Sequence, residues 1–194
     1  MGTLALEIYH RCMEQVEEVR AAALRAEVDG FTTAAPILRR SAYVLSVAAF
    51  DSYFHERAVD LLRANALSGL SGAGTVANYI RSTSASDVAG PSGEGHIRLR
   101  LSYRTLVAPD AIDALLAASG RDAADCWLQT AIALTSRQDR LRRLLGLIYD
   151  RRNVIAHEAD WDIVQLDFRA MESSHIEECV VHLTSLAESL DSIL

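Results

Sequence analysis

The apolar residues of this chain recur three and four positions apart over long stretches, the period of an α-helix with one buried face. Ile8, Cys12, Val16, Val19 and Ala23 follow this spacing, with Thr3 placed as an N-cap and Gly30 as a natural stop. A second, longer helix is predicted from Pro36, a favoured first-turn residue, to about Asn65. Its stripe reads Val44, Val47, Ala48, Asp51, Phe54, Ala58, Leu61 and Leu62. Residues 68–95 break the pattern: they hold six of the ten glycines and many serines. That predicts a long flexible loop with one short helix near 76–81. Ile97 to Tyr103 alternates apolar and polar residues, as a short strand or an irregular segment does. Regular helix resumes after Pro109 and Asp110, over 111–118 up to Gly120 and over 123–134 with Trp127 inward. A basic helix is predicted over about 137–156 and a break around 158–162. A last helix then carries Ile176, Val180, Leu183, Ala187 and Leu190 on one stripe. These elements predict a single all-α domain over 1–194, an antiparallel bundle of four to five long helices with a Gly/Ser-rich insert.

Composition narrows the function classes. Half of the 194 residues are hydrophobic, enough for a core. Apolar runs such as Tyr43–Phe50 are too short for a membrane span, and the N-terminus has no basic region followed by an apolar run. Cys12, Cys126 and Cys179 are odd in number and widely spaced, which suits free thiols in a reducing compartment and predicts a cytoplasmic protein. The net charge of −7 argues against a general polyanion binder. All 19 basic residues are arginine, however, and Arg137, Arg140, Arg142, Arg143, Arg151 and Arg152 fall within sixteen residues whose only acids are Asp139 and Asp150. Such a helix is either a solvated face or a surface for one phosphate backbone. Gly69, Gly72 and Gly74 open no phosphate loop, since no lysine follows. There is no HExxH and no GxSxG, and His175 with His182 makes only a weak metal pair. No metal and no cofactor is expected.

Two charges conflict with the pattern around them. On the basic helix Leu141, Leu144, Leu145, Ile148, Arg152 and Ile155 form the stripe, so Arg152 stands where an apolar residue is expected; Asp51 does the same on the second helix. A buried charge without a partner is costly, so Asp51 and Arg152 are expected to approach each other, as a structural ion pair or across a polar cavity. Asn153 and His157, four apart, lie about 40° from each other on one helix face. A fixed cation, an amide and a titratable imidazole on one flank suit proton transfer beside an anion.

The run Arg152-Asn153-Val154-Ile155-Ala156-His157 resembles the signature of HEPN domains: an arginine, a polar residue after it, then a histidine a few positions on. The wider segment Tyr149–Glu158, with Val47–Phe54 earlier, is similar to the RiboL-PSP branch of that superfamily, whose second helix often carries an acid near the place of Asp51. The likeness spans roughly residues 35–190, and the short signature is its sharp part. It implies a helical bundle that dimerises so that two signature helices face one cleft. It further implies metal-independent RNA cleavage in a defence, toxin–antitoxin or stress setting, with an antitoxin or operon partner. His157 would act as base or acid, Arg152 would hold the phosphate, Asn153 would orient it, and Asp51 and Arg151 would support them. The acidic run Glu158, Asp160, Asp162 after His157 is expected to repel a polyanion. The competing readings are a non-catalytic interaction or RNA-binding module of the same fold, and a small-molecule-binding bundle that uses residues 68–95.

Overall fold

A computed structural model describes residues 2–82 and 84–194. Among them the chain forms nine helices: α1 (Leu4–Val28), α2 (Ala34–Leu67), α3 (Leu70–Tyr79), α4 (Ala85–Ala89), α5 (Gly93–Leu101), α6 (Pro109–Ala118), α7 (Ala123–Ala133), α8 (Gln138–Glu158) and α9 (Ser173–Ile193). A hairpin of two short antiparallel strands, β1 (Trp161–Asp162) and β2 (Asp167–Phe168), joins α8 to α9. The fold is all-helical, as the periodicity predicts. No helix among the described residues is long and apolar enough to cross a membrane.

The 34-residue helix α2 is the axis of the bundle, with α1, α3, α5, α8 and α9 packed along it. Tyr9 of α1 and Phe50, Tyr53 and Phe54 of α2 form its aromatic centre, with mostly edge-to-face ring contacts at 5.1–6.5 Å. Edge-to-face rings set the positive edge of one against the negative face of the next. The chain ends are tied together. Thr3 caps α1 by accepting from the Leu6 amide, while its own N–H and hydroxyl donate to Asp191 near the end of α9. Arg57 of α2 lies 3.6 Å from the same carboxylate.

The buried face of α2 differs from the predicted stripe. Tyr43, Val47, Phe50, Phe54, Ala58 and Leu62 face the core, whereas Ala48 is exposed and Asp51 is half-buried at the edge. Two overlapping apolar arcs run along this helix, and the stripe through Ala48 and Asp51 follows its rim.

Where a long flexible loop is expected over 68–95, the described residues form α3, α4 and the start of α5, and 97–103 lies largely in α5 rather than in a strand. The glycines serve close approach. A Cβ on Gly72 would lie 2.1 Å from the carbonyl oxygen of Asn65, and one on Gly93 would lie 2.1 Å from that of Val88. Backbone thus packs on backbone, and Val76, Ala77, Val88, Ile97 and Leu101 insert into the one core. Tertiary burial overrides weak helix propensity here.

Candidate functional site

The basic helix α8 is anchored by Leu141, Leu145 and Ile148, and the same stripe runs on to Arg152. The Arg152 guanidinium faces a cavity of about 440 Å³ lined also by Asp51, Ser52, His55, Ser102 and Ala156. Its Nη1 donates to Asn153 Oδ1 at 3.0 Å, and its carbon centre lies 5.6 Å from the centroid of the Tyr149 ring. Arg152 has no ion-pair partner among the described residues. Its orientation comes from an amide and an aromatic face, not from a carboxylate within ion-pair distance.

Asp51 and Arg152 therefore share one cavity, though they do not close into a direct ion pair. Asp51 Oδ1 accepts from the Leu106 amide at 2.7 Å and lies 3.8 Å from Nε2 of His55, one helical turn on. Burial raises the Asp51 pKa, against the opposing influence of the Leu106 hydrogen bond, His55 and Arg152. His55 Nε2 donates to the carbonyl of Arg104 at 3.0 Å. The sequence reading missed His55, although its place four residues after Asp51 puts both on one helix face.

His157 stands apart. It is exposed on the last turn of α8 and does not line the cavity that Arg152 lines. A single chain thus joins Arg152, Asn153, Asp51 and His55, and leaves the His157 imidazole outside. Arg151 is also not where it was expected. It points away from the cavity and pairs with the fully buried carboxylate of Asp160, at 2.7 and 3.0 Å. Arg40 of α2 holds the same carboxylate at 2.8 Å and reaches the carbonyl of Arg169 at 2.6 Å. Asp160 follows Ala159, and both have left-handed backbones, φ 62° and 52°, so the chain turns back sharply beneath α8.

This arrangement corrects the expectation about the acidic run. Asp160 is neutralised by two arginines, and Asp162 accepts from the amides of Val164 and Gln165 while lying 3.6 Å from Arg169. Much of the negative charge after His157 is spent inside the protein. The basic cluster is thinned in the same way. Arg142 makes a bidentate pair with Asp113 at 2.6 and 2.7 Å, to which Trp127 also donates, and Arg137 pairs with Asp139. Arg140, Arg143 and Arg152 have no ion pair among the described residues, so three of the six arginines keep a free charge.

The remaining candidates are structural. His175 accepts the Glu172 amide at 3.2 Å as part of the cap of α9. The three cysteines are free, and burial pushes the Cys179 thiol up to about 12, which removes it as a nucleophile. Among the described residues no group of three or more His, Cys, Asp or Glu is arranged to hold a metal ion. No family model, curated protein or solved structure matches the chain.

Proposed function

We propose that the protein is a metal-independent endoribonuclease of the HEPN type whose site is completed by two copies of the chain. The observation that carries this reading is the state of Arg152: half-buried, oriented by Asn153 and Tyr149, and without a carboxylate partner. A fixed guanidinium with free charge is suited to bind a phosphodiester in bidentate fashion and to stabilise the charge that grows on it during transfer. The neutralised acids after His157 support the reading, because they lower the repulsion that an RNA strand meets at this helix end.

The chemistry is a transesterification. The RNA 2′-hydroxyl gives its proton to a base, its oxygen attacks the adjacent phosphorus, and the bond from phosphorus to the 5′-oxygen breaks. The leaving oxygen takes a proton, so the products are a 2′,3′-cyclic phosphate and a 5′-hydroxyl end. An exposed imidazole on one chain is the base or acid for a phosphate held by the Arg152 of another. DNA has no attacking hydroxyl and is inert.

A second reading, a non-catalytic interaction or RNA-binding module, is favoured by the position of His157 outside the Arg152 cavity. Incubation with total RNA in excess EDTA decides between them. The nuclease reading expects cleavage that leaves cyclic phosphate ends. Cleavage should fall about 10²- to 10⁴-fold in His157→Ala, the range for loss of a general acid or base, and similarly in Arg152→Ala. Intact RNA at high protein concentration, or cleavage unchanged in both variants, refutes it.

A further inference from the structure

The cavity that Arg152 faces also contains an imidazole. Of the six histidines in the chain, His55 alone lines it. The ring of His55 is fixed at one end only. Its Nε2 donates to the Arg104 carbonyl at 3.0 Å and lies 3.8 Å from Oδ1 of Asp51. Both neighbours offer acceptor oxygens, so Nε2 keeps its proton whether the ring is neutral or charged. Nδ1 has no hydrogen-bond partner among the described residues and is not sealed from solvent. It is the ring nitrogen free to exchange a proton with a bound molecule.

The charges that line this cavity are those of Asp51 and His55 on α2 and of Arg152 on α8. The neighbouring cations are engaged elsewhere. Arg104, on the loop after α5, donates to the Tyr79 carbonyl at 2.6 Å with its guanidinium against the Tyr79 ring, and Arg98 of α5 pairs with Glu56. With a neutral imidazole, Arg152 and Asp51 cancel, and a bound phosphodiester would leave one negative charge in a half-enclosed site. With an imidazolium, the cavity carries one net positive charge, which the phosphodiester neutralises. A poorly hydrated site favours the balanced set. The volume of about 440 Å³ lies in the lower part of the range for small-ligand pockets and suits a phosphate with an adjoining sugar.

We propose that His55 is the general acid of the cleavage reaction, giving the Nδ1 proton to the 5′-oxygen as it leaves. The inference rests on the nuclease reading and completes its proton balance, which needs one group to take a proton and another to give one. The base is the exposed His157 imidazole of the second copy. It takes the proton of the 2′-hydroxyl, whose oxygen bonds to the phosphorus held at Arg152. The bond from phosphorus to the 5′-oxygen breaks, and its electron pair takes the proton from His55 Nδ1. His55 ends neutral, with Nε2 still donating to the Arg104 carbonyl, and exchange with water returns both imidazoles to their starting states. Asp51 is the counter-ion of the imidazolium. Asp51 and His55 also tie the loop after α5 to α2, through the Leu106 amide and the Arg104 carbonyl, a structural role that the experiment has to separate from proton transfer.

The probe is an oligoribonucleotide spanning a bond that the wild type cleaves in total RNA, made once with the natural 5′-oxygen at that bond and once with sulfur in its place. A thiolate leaves without a proton, so the sulfur substrate needs a base and no acid. His55→Gln keeps an N–H for the Arg104 carbonyl and cannot transfer a proton; circular dichroism should show unchanged helix content. It should cleave the oxygen substrate about 10²- to 10⁴-fold more slowly than wild type, and the sulfur substrate within about tenfold of it. His157→Ala, which removes the base, should stay slow on both. In the wild type, kcat/KM should fall at alkaline pH on the oxygen substrate, as the acid loses its proton, and should not fall there on the sulfur substrate; this comparison needs no variant to fold. Equal loss on both substrates in a folded His55→Gln overturns the proposal, as does rescue of His157→Ala by sulfur, or an alkaline fall on both substrates or on neither. Wild-type cleavage of RNA matched by His55→Gln overturns this role and keeps the nuclease reading. RNA left intact by the wild type overturns both.

Discussion

Replacing Asp160 tests the joint between the signature helix, the hairpin and the core. The carboxylate is fully buried, while the Arg40 and Arg151 side chains that hold it are 13% and 25% exposed. Removing one member of a buried ion pair costs about 3–5 kcal/mol, because the remaining charge is left unpaired. Both guanidiniums can rehydrate in part, which favours the low end of that range. Asn at 160 keeps the shape, one acceptor oxygen and tolerance of the left-handed backbone, so Asp160→Asn should lose about 2–3 kcal/mol. Asp160→Ala loses the acceptor as well and places a Cβ residue with no local hydrogen bond at φ 62°. It should lose about 1 kcal/mol more. Urea unfolding at neutral pH measures both. With a slope of about 2–3 kcal/mol per molar, the Asn variant should shift the midpoint down by about 1 M. A buried pair is poorly screened, so the difference should persist in molar salt. A loss below about 1 kcal/mol, or one that vanishes in salt, would mean that water reaches the carboxylate and that the joint is a surface contact.

Two further predictions follow from other parts of the fold. Burial raises the Asp51 pKa above its ordinary 3.8. The folded state therefore holds that proton more tightly than the unfolded one, and the stability linked to it is lost as the pH rises from 3.8 through the raised value. Asp51→Asn should accordingly gain stability relative to wild type as the pH climbs from the acid range to neutrality; urea midpoints whose difference stays flat with pH would contradict this. Gly72→Ala should destabilise by about 1–3 kcal/mol, the range for overpacking a close contact, since the new Cβ would meet the Asn65 carbonyl at 2.1 Å. Thermal melts check it, and a neutral effect would mean that α3 does not sit against α2 as described.

Where one face is apolar and the ends carry caps, the helices were legible in the chain. The Thr3 cap, the Pro109 start, the burial of Trp127 and the extent of α8 all emerge within a few residues from spacing and cap chemistry. The α2 face was harder, because a helix packed on several sides presents more than one apolar arc. Residues 68–95 misled because glycine and serine disfavour helix locally, while their small size is what lets α3, α4 and α5 approach their neighbours. At the site, sharing of one cavity by Asp51 and Arg152 followed from two charges on apolar stripes. The division of labour between Arg151 and Arg152 did not. Adjacent helical residues point about 100° apart, and the partner that claims Arg151, Asp160, is placed by a turn in which it and Ala159 are both left-handed, neither of them glycine.

The same rotation bears on why one chain does not assemble the site. His157 lies five positions after Arg152, and five steps of an α-helix turn through about 140° net. With Arg152 turned towards α2 and the Asp51 cavity, His157 is carried to the far flank, where it is exposed. Asn153, one residue on, shares the His157 flank, yet its oxygen is drawn back to Arg152. A phosphate bound at the guanidinium of one chain is thus out of line with the imidazole of that chain unless the helix end unwinds. The buried Asp160 joint, which ties Arg151 to α2 within two turns of His157, opposes that unwinding. Catalysis by this pair of residues therefore requires the imidazole to come from a second helix end. The nuclease reading consequently stands or falls with a dimer in which two α8 helices meet, and RNA cleavage by a demonstrably monomeric protein would require a different base.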